Sequence, residues 1–360
     1  MRSAKPTLAV VGATGAVGSV MLRLLATRED LWGEVRLVAS ARSAGTRLAV
    51  RGEQLEVLAV APEVFDGVDV AVFDVPDEVS RLWAPVAVER GAVVVDNAVT
   101  FRMDPDVPLV VPEVNPAKTR QRPLGIIANP NSTTLTMMDV LGALHAGWGL
   151  TSLVVASYQS ASGAGYEGVE RLYDELEVVV AERGLGQQPG DVRRAVEDKL
   201  GADSPFAAPL ALNVVPWVGS SAGDGWTTEE RKVRDETRKI LGLPELPVAV
   251  TCVRVPVVTA HSLAVHATFE RPVPVDEARQ ALVEAPSVVV LDDLDTGELP
   301  TPADVVGSDP TFVGRLRQSL DDPCGLEMFV CGDNLRKGAA LNALQVAELV
   351  AAELAESVGA

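Results

Sequence analysis

Residues 7–25 constrain the fold more than any other stretch of the chain. A short apolar run, Thr7-Leu8-Ala9-Val10-Val11, breaks into Gly12-Ala13-Thr14-Gly15-Ala16-Val17-Gly18 and then into a helical spacing carried by Met21, Leu22, Leu24 and Leu25. A strand, a glycine turn and a helix in that order open a dinucleotide-binding unit. Glycine suits the turn because the chain reverses tightly and its backbone must come close to a pyrophosphate at the positive end of the helix. The spacing is GxxGxxG rather than GxGxxG, so the turn alone also fits a plain helix-packing bend. The next strand, Val35-Arg36-Leu37-Val38-Ala39, decides between them, because it ends in Ser40-Ala41-Arg42-Ser43. An acid that would hold the ribose 2′-hydroxyl of NAD is missing there, whereas Ser40, Arg42 and Ser43 suit a 2′-phosphate, so the expected cofactor is NADP. Apolar strands at 68–73 and 92–96, separated by a helical stretch at 79–88, continue the alternation of a parallel α/β sheet.

Composition narrows the possible partners. A chain of 360 residues with 47% hydrophobic content buries a large core and divides into two domains. A net charge of -19, with no Lys/Arg cluster, sets nucleic acid aside. Cys252, Cys324 and Cys331 form no zinc spacing and the three histidines are isolated, so no metal is expected. No run of about 18 apolar residues stands out and no basic leader precedes the first strand, which points away from a membrane and to the cytoplasm.

After Ser132 the pattern changes. A helix with Leu135, Met138, Leu141 and Leu144 on one side leads to a strand at 153–158 and on to Gln159-Ser160-Ala161-Ser162-Gly163-Ala164-Gly165. Residues 180–230 read as long connections with short helices. A helix capped by Thr228 runs through Glu229 and Lys232 to Leu241, strands follow at 248–257 and 262–269, and a last helix covers about 337–357. Glu229 and Lys232 are three apart and point the same way, as in an ordinary surface ion pair or a shared ligand site. Arg254 lies inside an apolar strand, where a charge requires a ligand or a buried partner.

Several motifs run in order along nearly the whole chain. They are the glycine turn, Asp96-Asn97 with Phe101-Arg102, the stretch from Pro108 to Asn115, and Ile126-Ile127-Ala128-Asn129-Pro130-Asn131-Ser132-Thr133-Thr134. Tyr158-Gln159 with Ser162-Gly163-Ala164-Gly165, Glu229 with Lys232, Cys252 to Val257 ending at His261-Ser262, and Asp333 to Ala340 complete the set. Together they resemble the aspartate-semialdehyde dehydrogenases. The resemblance implies a Rossmann-type NADP-binding domain over 1–131 plus about 334–360, and an α+β catalytic and dimerisation domain over 132–333. It implies a homodimer or homotetramer acting on a small anionic amino-acid-like substrate, β-aspartyl phosphate, with phosphate as product. It assigns Arg102 and Lys232 to the phosphate, Arg254 to the α-carboxylate and Glu229 to the α-ammonium. Gln159 would orient an acyl intermediate and Asn131 would serve the oxyanion. His261 would be the general acid and base. Gly12, Thr14, Gly15, Ala16, Val17, Ser162, Gly163 and Asn334 would contact the cofactor, Asn334 at the nicotinamide carboxamide.

Two positions depart from the family pattern. Ser132 stands where the nucleophilic Cys belongs, and a hydroxyl needs a base before it attacks. Asp74-Val75-Pro76-Asp77-Glu78-Val79-Ser80 replaces a small neutral loop beside the cofactor. Cys252, two residues before Arg254, would face the same side of its strand, as a substitute thiol or a structural one. Three readings follow: NADPH-dependent reduction of β-aspartyl phosphate through an acyl-enzyme slowed by Ser132, a non-redox hydrolase, acyl transferase or cyclising enzyme on the same substrate type, and a catalytically silent binding partner. The loop beyond the second strand generates one expectation at once. NADPH should bind in preference to NADH and Arg42→Ala should erase the preference; equal affinities in the parent, measured by titrating both cofactors, would remove the loop from 2′-phosphate recognition.

Overall fold

The computed structural model describes residues 5–28 and 31–359 and divides into two compact units. Unit 1 comprises 1–131, 236–243 and 336–360; unit 2 comprises 132–235 and 244–335. The expected domain limits differ at two places. Residues 236–243 join unit 1 rather than the second domain, and 334–335 stay in unit 2.

In unit 1, β1 (Leu8–Val11), β2 (Val35–Ala39), β3 (Arg47–Val50), β4 (Glu53–Ala59), β5 (Val70–Phe73), β6 (Val93–Asp96) and β7 (Ile126–Ala128) form one sheet in the order 3-4-2-1-5-6-7. All pairs are parallel except β3 with β4. β1 and β5 are buried along their whole length, which is why they read as unbroken apolar runs rather than alternating ones. The chain leaves β1 through α1 (Ala16–Thr27) to one side and later returns to β5 on the other, continuing through α2 (Asp77–Glu89). The strand order therefore reverses between β1 and β5, and ligands of such sheets bind outside the carboxyl ends of the strands at that reversal. Gly12 and Asp74 are the first residues beyond those two ends. The helical stretch Arg336–Glu356 is long and apolar enough by composition to cross a membrane, which the sequence reading passed over. Most of it is buried inside unit 1, where its second part packs on β5 and β6 as a core helix does.

Unit 2 begins with α3 (Ser132–Trp148), which packs on a six-stranded sheet. That sheet contains β8 (Leu150–Gln159), β11 (Val248–Arg254), β12 (His261–Phe269), β13 (Val288–Val290), β14 (Thr311–Gln318) and β15 (Gly325–Gly332), in the order 11-8-12-15-14-13. A short hairpin of β9 (Ser221–Gly223) and β10 (Trp226–Thr227) precedes the helix α6 (Thr228–Leu241); α4 (Gly165–Ala181) and α5 (Asp191–Leu200) lie in the stretch before it. The cap of α6 is Thr227 and not Thr228. The Glu230 amide donates to the Thr227 hydroxyl at 3.2 Å and the Thr227 amide donates to the Glu230 carboxylate at 2.8 Å, a reciprocal capping box. Thr228 instead accepts from the Ser220 amide. Glu230 also accepts from the Cys252 amide at 3.2 Å, so this buried acid ties the helix start to the edge strand β11.

The turn after β1 is sterically closed. Gly12 has φ +96, and a Cβ there would lie 2.0 Å from the Asp74 carbonyl oxygen; one on Gly18 would lie 2.3 Å from the Gly12 carbonyl oxygen. Gly12→Ala therefore combines backbone strain with a clash, and should lower the urea midpoint by an amount equivalent to about 2 kcal/mol or more. An unchanged midpoint would show that the turn can relax without cost.

Candidate active site

In unit 2, Ser132 is the first residue of α3 and His261 the first of β12. The Ser132 hydroxyl and His261 Nε2 are 3.3 Å apart. On the other side of the ring, the Ser160 backbone N–H donates to Nδ1 at 3.2 Å. An amide can only donate, so Nδ1 is unprotonated and the neutral ring carries its proton on Nε2. That proton points at Ser132. The ring is buried, and burial followed by the nearby Arg254 charge pushes its pKa down to about 3, so it stays neutral at physiological pH. His261 is thus arranged as a hydrogen-bond donor to Ser132, not as a base waiting to take its proton. Among the described residues no carboxylate holds Nδ1 as an acid would in a Ser-His-Asp triad.

Arg254 ends β11, paired in register with Gln159 at the end of β8. Its guanidinium donates to the Ser160 carbonyl at 2.6 Å and lies over the Phe206 ring, 5.9 Å from its centre. That carbonyl is its one hydrogen-bond acceptor among the described residues, which leaves further N–H groups for a ligand. Gly163 lets it pass: a Cβ there would stand 2.6 Å from Arg254 Nη1 and 3.3 Å from His261 Cε1. A cavity of about 210 Å³ opens beside Arg254, lined by Phe206, Trp217 and Gly219 among others. Glu229 and Lys232 pair at 3.5 Å, and Glu229 also accepts from the Thr133 hydroxyl at 3.2 Å, one residue after Ser132. Unit 2 therefore brings together Ser132 and His261, Arg254 and Gln159, and Glu229 and Lys232.

Gln159 is buried and donates to Ser157 at 3.1 Å. Asn334, expected at the nicotinamide, is buried too. Its oxygen accepts from the Ala260 amide at 2.9 Å and from the Ser160 and Ser162 hydroxyls, and its nitrogen donates to Ser162. The protein itself uses both ends of this amide, so it holds the Ser160 segment against His261. Cys252 is no substitute nucleophile, because burial pushes its thiol up to about 12. His145 and His266 are structural: His145 Nδ1 accepts the Leu150 amide at 2.9 Å, and His266 pairs with Glu327 at 2.7 Å.

Unit 1 holds the remaining candidates. Arg102 is buried and donates to Glu236 at 3.0 Å and to the Asn97 carbonyl at 2.6 Å. Glu236 accepts in turn from the Asn131 amide at 2.6 Å. Sequence reasoning missed Glu236; the only signal was an acid one turn beyond Lys232 on the same helix. It also missed Lys239, whose ammonium donates to the carbonyls of Arg102, Asp104 and Val107 at 2.7, 2.6 and 2.8 Å. These two side chains explain why 236–243 belongs to unit 1.

At the glycine turn the backbone fits a dinucleotide. α1 starts behind Gly15 with no side-chain cap, leaving first-turn amides for an anion. Thr14 reaches Ser43 at 3.5 Å, and Ser40 and Arg42 are exposed just beyond β2. Asp74 is the discordant group. Its carboxyl accepts from Asn97 Nδ2 at 2.8 Å, the Gly18 amide is directed at it, and its Oδ2 lies 3.5 Å from the place of a Gly15 Cβ.

The fixed tautomer gives a test. Nitrogen-15 shifts of His261 should report the neutral ring protonated on Nε2 and should not move between pH 5 and pH 8. A mid-range titration would contradict the buried ring. Because the unfolded ring protonates near its ordinary value of 6.5 and the folded one only near 3, this group removes stability as pH falls below 6.5.

Residues 141–337 match the family described as semialdehyde dehydrogenase, dimerisation domain, and residues 7–122 match semialdehyde dehydrogenase, NAD binding domain. The chain is 47% identical to the aspartate-semialdehyde dehydrogenase of Streptomyces akiyoshiensis over 351 residues, which is 96% of this chain and 98% of that protein. Against the Bacillus subtilis enzyme of the same name identity is 42%, covering 95% and 96%. Among solved structures, aspartate semialdehyde dehydrogenase II of Vibrio cholerae complexed with ASA superposes with a TM-score of 0.88 at 36% identity, covering 97% of this chain and 98% of that one. The Candida albicans enzyme with NADP gives 0.72 at 25% identity, covering 98% and 99%. The chain belongs to the aspartate-semialdehyde dehydrogenase family.

Proposed function

We propose that this family member binds β-aspartyl phosphate in unit 2 and NADP in unit 1, and reduces the acyl phosphate to aspartate semialdehyde at a rate held down by Ser132. The observation that carries the reading is the 3.3 Å contact of Ser132 with His261 beside a buried Arg254 whose guanidinium is left open to a ligand. Arg254 offers the planar fork for the α-carboxylate, and Glu229 and Lys232 offer one charge each for the ammonium and the phosphate. Arg102 and Asn131 belong to unit 1, where Glu236 accepts from both, and the proposed substrate site in unit 2 does not rest on them.

In the acyl-transfer step the Ser132 oxygen bonds to the acyl carbon and the bond from that carbon to the phosphate oxygen breaks. The hydroxyl proton goes to the departing phosphate, since His261 Nε2 already carries one. The Nε2 proton and the amides at the start of α3 stabilise the oxyanion. NADP would be held by the Gly12 to Gly18 turn with Thr14, Ser40, Arg42 and Ser43, and its reduced form supplies the hydride that releases the aldehyde. An oxygen ester accepts hydride less readily than a thioester, so both halves of the reaction lose rate. We place the protein in the cytoplasm as a homodimer or homotetramer, in keeping with its match to a dimerisation domain.

A second reading has its own support. The Asp74 carboxyl at the cofactor turn favours loss of the redox step, leaving hydrolysis or transfer of the aspartyl group. NADPH absorbance and phosphate release, followed together with β-aspartyl phosphate, separate the two. Ser132→Cys should raise NADPH oxidation by at least about a hundredfold, since a thiol ionises far more readily than a hydroxyl and needs no base to yield its nucleophile. Phosphate release without NADPH oxidation in the parent and in that variant would favour the non-redox reading. Inertness in both assays would sink both. Arg254→Lys should weaken substrate binding by a factor of about ten or more; unchanged affinity would take Arg254 out of the site.

A further inference from the structure

We propose that Asp74 gates the dinucleotide site: its carboxylate stands in for the cofactor diphosphate at the first turn of α1, so NADP(H) binds only when that carboxyl turns away or takes up a proton. The inference rests on reading unit 1 as the NADP-binding unit.

Four observations converge. Asp74 is the first residue after β5, at the reversal of strand order where such sheets take their ligand. Its Oδ2 is the nearest atom but one to the open side of Gly15, at 3.5 Å, on the face a diphosphate must approach. The Gly18 amide, a first-turn donor, is already directed at it. A chain of amides, buried at Asn342 and Asn129 and half-buried at Asn97, also holds it in place. Asn342 Nδ2 donates to the Val110 carbonyl at 3.0 Å and to Asn129 at 2.7 Å, Asn129 donates to Asn97 at 2.7 Å, and Asn97 donates to Asp74 at 2.8 Å. The Val110 carbonyl can only accept, so the direction of the chain is fixed and it ends in an N–H aimed at Asp74. That is the partner an ionised carboxylate requires, and the partner an incoming phosphate oxygen would inherit.

Electrostatics sets the sign. A carboxylate and a diphosphate sharing one helix start repel, while a neutral carboxyl does not. The other charged groups there mostly add to the repulsion. α2 contributes Asp77, which accepts from the Val99 amide, and the exposed Glu78. β6 contributes Asp96, bound by Ser80 and the Ala98 amide and raised by burial to about 6. α1 carries no charge before Arg23; the cations nearby are Arg42 beyond β2 and Arg102, which donates to the Asn97 carbonyl and pulls the Asp96 carboxyl down. Burial raises the Asp74 carboxyl above its ordinary range, which brings its protonation closer to reach.

Calorimetric titration of the full chain with NADPH and with NADH, at pH 6 and pH 8 and in two buffers of different ionisation enthalpy, tests the gate without relying on turnover. NADH serves because its diphosphate does not titrate in that range. The parent should bind more weakly at pH 8, by no more than about tenfold per pH unit, and should take up a proton on binding. Asp74→Ser should bind on the order of tenfold tighter at pH 8 and lose the uptake. Asp74→Asn, which keeps the shape and removes the charge, should tighten as well. If only the serine variant tightens, bulk rather than charge excludes the cofactor and the proton-linked gate is wrong. A proton uptake that survives in Asp74→Ser belongs to Asp96 and overturns the assignment. Equal, measurable affinities in all three proteins would overturn the gate and leave the cofactor reading standing. No binding of either dinucleotide by any of them would overturn the cofactor reading itself.

Discussion

The hydrogen bond from the Ser160 amide to His261 Nδ1 determines what the site in unit 2 can do. A backbone donor leaves the ring one neutral form, and burial keeps it in that form across the physiological range. Asn334 and Arg254 reinforce the choice. The first ties the Ser160 hydroxyl and the Ala260 amide together, and the second holds the Ser160 carbonyl and adds a positive charge that disfavours a second proton on the ring. The site is therefore a preorganised donor facing the start of α3. With a thiol there, a donor and a helix start are sufficient, because a thiolate forms within reach of neutral pH. With a hydroxyl they serve less well, because an alkoxide is far more basic and, among the described residues, no side chain is placed to receive the proton, which is left to the departing phosphate. On the proposed reading, a single atom change from sulfur to oxygen alters the chemistry within an unchanged frame.

Unit 1 has a frame of the same kind. Asn342, Asn129 and Asn97 form a line of amides whose direction a backbone carbonyl sets, and Arg102 and Glu236 hold its neighbours, the Asn97 carbonyl and the Asn131 amide. Burying polar groups costs stability unless partners satisfy them, and here all but Asn342 Oδ1 and Arg102 Nε of these amide and guanidinium groups find one among the described residues. Lys239 does the same for the 102–107 segment by binding three carbonyls at once, although burial pushes its own pKa down.

Much of this was legible in the sequence because it is written in local order. The glycine turn, the apolar parallel strands and the polar end of β2 are contiguous stretches whose order supports one reading over the others, and the structure forms each where the pattern places it. The candidate residues Ser132, His261, Arg254, Gln159, Glu229 and Lys232 were legible through ordered motifs, and unit 2 brings them together in pairs. What stayed hidden depends on partners distant in sequence. Glu236 and Lys239 look like two more charges on an amphipathic helix until the carbonyls and amides they bind are known. Thr227 and Thr228 are equivalent caps by residue type, and only Glu230 three residues after Thr227 distinguishes them. The tautomer of His261 could not be read at all, since it follows from a backbone amide that belongs to no motif.

The two departures from the family pattern share a physical logic. Asp74 is the first residue past a strand end and Ser132 the first of a helix, the two kinds of place where reactant groups must approach. Structural drift in a protein that had lost its ligands would fall first on costly features with no other use. A guanidinium buried at the end of β11 and left open to a ligand is such a feature, because a charge taken out of water without a full set of partners costs stability. Gly163, whose missing side chain makes room for that guanidinium, is another. Both are intact, and so is the Glu229 and Lys232 pair. The chain bears the cost of a site for an anionic amino-acid-like ligand, and that cost is hard to account for in a silent scaffold. On the readings proposed above, the changes at Ser132 and Asp74 act on rate and on cofactor entry and leave recognition of that ligand in place.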